Sequence, residues 1–134
     1  MAKINWIAST LFKDEPMENA VKNLNIESTR IVLVIDGSQK LLGTITDGDI
    51  RRAILENKPM DTPLHNFMNP EPTVVSEKEN LVAILRLMQQ KDLLQIPIVD
   101  SNSKIVGLET LHHLTEKETR NNPVFLMAGG FGKR

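Results

Sequence analysis

Hydrophobic residues are spaced along this chain in two ways, and each spacing predicts one kind of element. One is the stripe of an amphipathic helix, with apolar residues at i, i+3, i+4 and i+7: Met17, Ala20, Val21 and Leu24. The other is a short apolar run bounded by turn formers, such as residues 31–35, which is typical of a buried strand. The pattern therefore predicts short helices alternating with short strands.

The whole pattern recurs 64 residues further along the chain. Segment 35–46 aligns without a gap on segment 99–110, with Asp, Lys, Gly and Thr identical at matching positions. The helix stripe recurs at the same offset: Leu81, Ile84, Leu85 and Met88. Agreement over about forty positions indicates an internal duplication.

Each copy predicts the same elements in the same order, β-α-β-β-α. In the first copy we expect an extended segment before the stripe helix, then two strands and a closing helix, at residues 9–12, 31–35, 41–46 and 49–55. The second copy repeats them at residues 73–76, 96–99, 105–110 and 111–115. The turns between the paired strands begin at Asp36 and Asp100 and are rich in turn-forming residues.

One such unit has too small a core to stand alone, so the two copies should pack together. We predict an α+β fold of two repeats related by a pseudo-twofold axis, with their sheets facing each other and two similar clefts between them. The expected boundaries are a first repeat at 1–58, a connector at 59–66, a second repeat at 67–118 and a linker with a further segment at 119–134.

Composition removes several classes of function. The formal net charge is −1, with acids and bases interspersed, which argues against a nucleic-acid surface. The absence of cysteine excludes disulfides, thiolate nucleophiles and cysteine-ligated zinc. The apolar runs are too short to cross a bilayer, and the N-terminus lacks a signal-peptide core, so we expect no membrane partner and a cytoplasmic location. No metal site or catalytic arrangement is expected within the duplicated part.

The most specific motif ends the second strand of the first copy, where Gly43, Thr46 and Asp49 fit Gly-x-x-Thr-x-x-Asp. Together with the duplication over residues 5–118, this resembles a tandem pair of CBS domains, also called a Bateman module. The resemblance implies that the threonine and the aspartate bind the ribose or phosphate of an adenine nucleotide between the repeats. A carboxylate suits the two ribose hydroxyls, and a hydroxyl with helix-N-terminal amides suits phosphate. The alternative is that Asp49 only caps a helix, and both roles are compatible.

The same resemblance extends the expected site to four further positions: Arg30, Arg51, Leu94 and Pro97. Arg51 and the adjacent Arg52 follow the motif and could reach a phosphate, and a solvated place on the helix surface is the alternative for both. The second copy keeps Thr110 but has His113 where the aspartate is expected. A neutral imidazole offers one acceptor and the charged form offers none. We therefore expect a degenerate second site that is weak, empty or specific for something else.

Residues 123–134 carry a second signature, in which an apolar strand runs into a glycine-rich turn. It resembles the opening of sugar-phosphate nucleotidyltransferases, Ala-Gly-Gly-x-Gly-(Thr/Ser)-Arg, through these matching residues: Gly129, Gly130, Gly132 and Arg134. Lys133 stands where that family has a hydroxyl residue. The resemblance implies a truncated phosphate loop of a catalytic domain that uses Mg²⁺, with mannose-1-phosphate or glucosamine-1-phosphate guanylyltransferase as the nearest analogy.

Two functions stay open. The first is a regulatory adenine-nucleotide module of a bacterial nucleotidyltransferase, whose reaction converts a nucleoside triphosphate and a sugar 1-phosphate to a nucleoside-diphosphate sugar and pyrophosphate. The second is a ligand-free dimerisation module of the same enzyme. In both, the expected partners are a second copy of the chain and a covalently linked catalytic domain, and the segment itself is not the enzyme.

Overall fold

The structure, a computed structural model, describes residues 5–115. Its helices are α1 (Met17–Ile26), α2 (Asp47–Leu55) and α3 (Leu81–Lys91). Its strands are β1 (Thr10–Phe12), β2 (Val32–Ile35), β3 (Leu41–Ile45), β4 (Val75–Ser76), β5 (Gln95–Val99) and β6 (Ile105–Thr110). Single 3-10 turns lie at Ile7–Ser9 and Leu64–Asn66, and residues 111–115 are helical. None of the helices within residues 5–115 has the length and hydropathy that a membrane span requires.

The strands form two three-stranded sheets of identical topology, β1-β2-β3 and β4-β5-β6. In each sheet the first pair is parallel and the second is antiparallel. The register is also duplicated, because Val34 pairs with Gly43 as Ile98 pairs with Gly107, and both ladders are irregular one residue later. The predicted α+β fold of two β-α-β-β-α repeats is therefore confirmed.

The hairpin turns show why both copies keep an aspartate at the same position. Asp36 Oδ1 accepts the amides of Ser38 at 2.8 Å and Lys40 at 3.0 Å. The Asp100 carboxylate makes the same two bonds, and the residue before each lysine has a left-handed backbone, with φ of 67° and 66°. An aspartate that bonds the amides following it favours this kind of turn.

The two hairpins also bond to each other. The Leu41 amide donates to the Ser103 carbonyl at 3.0 Å, and the Ile105 amide donates to the Gln39 carbonyl at 3.1 Å. These reciprocal bonds connect equivalent positions of the two copies, and Lys40 and Lys104 form an antiparallel bridge between them. Such an exchange is what a pseudo-twofold relation between the repeats requires.

Strand β2 is buried along its whole length because its two faces cover different cores. Val32 and Val34 pack with α1 and α2 in the core of the first repeat. Leu33 and Ile35, on the other face, pack with Ile105 and Leu108 of the second repeat. The alternation of strand side chains thus turns one face of the sheet toward the opposite sheet, as predicted. A separate cluster around Met88 forms the core of the second repeat.

Two local features of the structure affect the site. Helix α2 begins at Asp47, two residues earlier than predicted, because Thr46 rather than Asp49 is its N-cap. The connector is not a free loop: its amides and carbonyls bond the first repeat, with Leu64 N donating to Glu15 O at 2.9 Å. The Leu64 side chain is fully buried in the first core, so the connector is a packed part of this repeat.

Candidate functional site

A cleft of about 260 Å³ lies between the repeats. The first repeat contributes Ile31, Thr44, Thr46 and Asp49 to its lining. The second contributes Leu93, Gln95 and Pro97, and the chain between them contributes Asn69, Glu71, Pro72 and Thr73. The cleft is slightly smaller than the pockets of about 300–1,000 Å³ that usually hold small ligands. The lining brings the predicted Thr46–Asp49 corner into one cleft with the start of β5 in the other copy.

The Thr46–Asp49 corner is built by the start of α2. The pattern Thr-x-x-Asp fits a capping box, in which the N-cap and the third helical residue bond each other's backbone. Asp49 Oδ2 accepts the backbone N–H of Thr46 at 2.9 Å, with the Thr46 hydroxyl 3.4 Å away. The Asp49 side chain is only 10% exposed. Local capping chemistry thus fixes the carboxylate at the cleft wall.

Asp49 has a second partner, one turn further along α2. Arg52 Nη2 donates to Asp49 Oδ1, whereas Oδ2 accepts the Thr46 amide and, at 3.4 Å, the Thr46 hydroxyl. The Arg52 side chain is 63% exposed and is not part of the cleft lining. Because a carboxylate has about four acceptor positions, Asp49 keeps the capacity to accept further hydrogen bonds from a ligand.

The rest of the lining combines apolar walls with neutral polar groups. Ile31, Leu93 and Pro97 offer flat or branched apolar surface, suited to a planar base. Thr44, Thr73 and Gln95 add hydroxyl and amide groups. Within the described part of the chain, no lysine, arginine or histidine lines the cleft, and its charged members are the two acids Asp49 and Glu71.

The other predicted residues lie elsewhere. Arg51 and Leu94 are exposed and are not part of the cleft lining. Arg30, with a left-handed φ of 59°, lines a separate depression of about 320 Å³ between α1 and α2, together with Asp47. The phosphate-loop residues, Gly129, Gly130, Gly132 and Arg134, lie outside the described residues.

Gly43 does not line the cleft, but it determines how a neighbouring segment approaches. A Cβ at this position would lie 2.5 Å from the Asn69 carbonyl oxygen and 2.7 Å from the Met68 sulfur. Thr44 and Asn69 exchange two backbone hydrogen bonds of 2.8 and 3.0 Å directly beside it. The glycine of the motif is therefore needed where segment 68–73 docks onto β3.

Sequence reasoning missed this docked segment, which supplies four lining residues of the cleft. Pro70 and Pro72 lack an amide hydrogen and predict an extended, irregular stretch. They do not indicate which strand edge the stretch approaches, because the bonds to β3 use backbone groups that every residue carries.

The second copy has different chemistry at the equivalent corner. Thr110 Oγ1 accepts the His113 amide at 3.1 Å, as an N-cap does, but the His113 ring pairs with Glu109, with Nδ1 and Oε1 2.9 Å apart. Both side chains are mostly buried, 15% and 11% exposed. The residues equivalent to Thr44, Gln95 and Pro97 are Leu108, Ile31 and Leu33, which form a buried apolar cluster covered by Trp6. The two corners are thus chemically distinct.

Comparison with known proteins identifies the fold. The family model of the CBS domain matches residues 8–56 and 64–117, once for each repeat. The chain belongs to the CBS domain family. The two matched segments enclose the cleft between them, so the cleft lies between two CBS domains.

Similar proteins share this CBS pair. The chain is 33% identical over 104 residues to the uncharacterized protein RP505 of Rickettsia prowazekii, covering 78% of this chain and 32% of that protein. It therefore spans about a third of that relative's length. Among solved structures, CBSX2 in complex with AMP superposes with a TM-score of 0.76 at 21% identity, covering 89% of this chain and 92% of the other. The CBS pair of MJ0100, in complex with 5′-methylthioadenosine and S-adenosyl-L-methionine, gives 0.74 at 21% identity, covering 91% and 92%. At this identity the likeness shows a shared fold.

Proposed function

We propose that this CBS pair is a regulatory module that binds an adenine nucleotide in the cleft at Thr46 and Asp49. The observation that supports it is the position of this corner, which shares a cleft of about 260 Å³ with the start of β5 in the other repeat. The carboxylate suits ribose hydroxyls, and the apolar walls suit the base. The bound molecules in the CBSX2 and MJ0100 complexes all carry adenine on a ribose ring, which supports the choice of ligand class.

A ligand in this cleft would contact both repeats and the segment between them. It would therefore favour the arrangement of the repeats in which all three walls touch it. Such a ligand regulates an attached domain only through a difference in affinity between the states of that domain. Because the cleft lies between the two repeats, binding would act mainly on their relative orientation.

We further propose that the regulated domain is a sugar-phosphate nucleotidyltransferase. This rests on the signature ending in Gly132 and Arg134, which follows the second repeat in the sequence. That catalytic domain, with Mg²⁺, would make a nucleoside-diphosphate sugar and release pyrophosphate. The test is a pyrophosphate-release assay on the full-length gene product. Turnover that changes when AMP, ADP or ATP is added supports the proposal. A full-length protein without transferase activity contradicts it.

Isothermal titration calorimetry of the 134-residue chain with AMP, ADP and ATP tests the nucleotide site. We expect saturable binding of one nucleotide per chain. Asp49→Ala should weaken it by about 10- to 100-fold, because charge-assisted hydrogen bonds to the ribose are lost. Asp47→Ala is the matched control, since Asp47 is in the same helical turn but outside the cleft lining. Binding weaker than millimolar for all three nucleotides would refute the nucleotide site.

A ligand-free dimerisation module is the second candidate, and the outer surfaces of the helices support it. Apolar side chains are strongly exposed near the ends of α1, α2 and α3: Ile26 at 75%, Leu55 at 76% and Val82 at 57%. Two-fold contacts between identical surfaces are the commonest way in which soluble chains associate. A light-scattering mass of a dimer that neither nucleotides nor Asp49→Ala alters, without nucleotide binding, would favour this function. A homodimer that does bind nucleotide is compatible with the first.

A further inference from the structure

Both oxygens of the Asp49 carboxylate are held by the protein. The Thr46 backbone N–H donates to Oδ2 at 2.9 Å, and Arg52 Nη2 donates to Oδ1. The first donor is at the N-cap of α2, and the second is one turn beyond Asp49 on the same helix. The arrangement therefore fixes the plane of the carboxylate as well as its place in the cleft wall.

The orientation of the carboxylate matters for a cis-diol. Two adjacent ribose hydroxyls bond one carboxylate well only when both oxygens face the sugar. The terminal torsion of an aspartate is broad and roughly two-fold. The Thr46 amide and hydroxyl both bond Oδ2, so on their own they leave Oδ1 unrestrained. A second donor on the other oxygen removes this freedom before the ligand arrives, which is how preorganisation increases affinity.

We propose that Arg52 is a positioning residue that orients the Asp49 carboxylate for the two hydroxyls of a ribose. This inference rests on the proposed nucleotide site and adds to it a residue outside the cleft that holds the carboxylate in place. The Arg52 side chain lies outside the cleft lining and its guanidinium bonds the Asp49 carboxylate, so it acts through this aspartate and not on a phosphate. The module should accordingly prefer ribonucleotides to nucleotides that lack the diol.

The test compares Arg52→Gln, Arg52→Lys and the control Arg51→Gln by calorimetry, with AMP, adenosine and 2′,3′-dideoxy-AMP as ligands. Arg51 is the neighbouring exposed arginine, and it is not part of the cleft lining. The Arg52 side chain is 63% exposed and Asp49 keeps its bonds to Thr46, so all three variants should fold, which circular dichroism checks. Arg52→Gln should weaken AMP and adenosine binding by about 3- to 10-fold and leave dideoxy-AMP binding unchanged. Arg52→Lys should recover part of this loss, and Arg51→Gln should bind like the wild type.

Each other outcome has a definite meaning. An equal loss for AMP and dideoxy-AMP would make Arg52 a merely structural residue and overturn the inference. A loss for AMP that vanishes with adenosine would assign Arg52 to the phosphate and also overturn it. A loss of the same size in Arg51→Gln would point to a general charge effect and overturn it as well. Wild-type protein that binds none of the ligands would instead refute the nucleotide site itself, which is a separate result.

Discussion

Replacing Gly43 with alanine should separate the two ways in which a motif glycine can act. Neither Gly43 nor its counterpart Gly107 has a positive φ, so alanine is compatible with the backbone at both positions. Only the space around them differs. At Gly43 the new Cβ would meet a backbone oxygen at 2.5 Å, whereas at Gly107 it would meet the Ile98 Cδ1 at 3.4 Å, an ordinary contact.

The magnitude follows from these contacts. Real Cβ atoms essentially never approach a heavy atom closer than 3.0 Å, so segment 68–69 must retreat by at least about 0.5 Å in Gly43→Ala. Overpacking of this kind usually costs about 1–3 kcal/mol. The retreat also strains the paired Thr44–Asn69 hydrogen bonds and moves one wall of the cleft. We expect the free energy of unfolding to fall by that amount and AMP affinity to fall by about tenfold.

Thermal denaturation and calorimetry of both variants test this reasoning. The melting temperature of Gly43→Ala should drop by roughly 4–15 °C. Gly107→Ala should be neutral or slightly stabilised, because alanine reduces the entropy of the unfolded chain by about 0.4–1 kcal/mol where it fits. Equal melting temperatures and affinities for the two variants would show that close approach of the connector is not what requires glycine at position 43.

Two further predictions concern the fold. Leu64→Ala removes a fully buried side chain of the connector and should lower the free energy of unfolding by about 2–5 kcal/mol in urea denaturation. The control Leu55→Ala, at a 76% exposed position, should have little effect. Equal effects of the two changes would contradict the packed connector. The pKa of Asp36 lies below its ordinary value because the amides of Lys40 and Ser38 donate to its carboxylate. The ionised carboxylate therefore stabilises the fold fully above the unfolded-state pKa, and this contribution is lost as the pH falls through the folded-state pKa. The melting temperature of Asp36→Asn should therefore decline less below about pH 4 than that of the wild type, and identical pH profiles would argue against a role for this turn.

Recurring local patterns determined most of the architecture. The helix stripe at Met17–Leu24 and its copy 64 residues later gave two equivalent units, and the turn aspartates gave the two hairpins. The Thr46–Asp49 corner could also be located, because a capping box is a local interaction between residues three apart. The sequence alone places the start of α2 two residues late, because Asp49 suits a helix start and the N-cap is Thr46.

Only the tertiary structure decided what stands around that corner. Segment 68–73 docks onto β3 through backbone hydrogen bonds between Thr44 and Asn69, which are far apart in the chain. Backbone groups are the same in almost every residue, so the sequence does not indicate which of them will pair. The location of Arg30 was also decided by the tertiary structure. It lies at a depression between α1 and α2, so its place depends on how these helices pack and not on its neighbours in sequence. Periodicity and helix capping depend on residues close together in the sequence, so they can be predicted from it. The cleft forms between surfaces that come together only after the chain has folded.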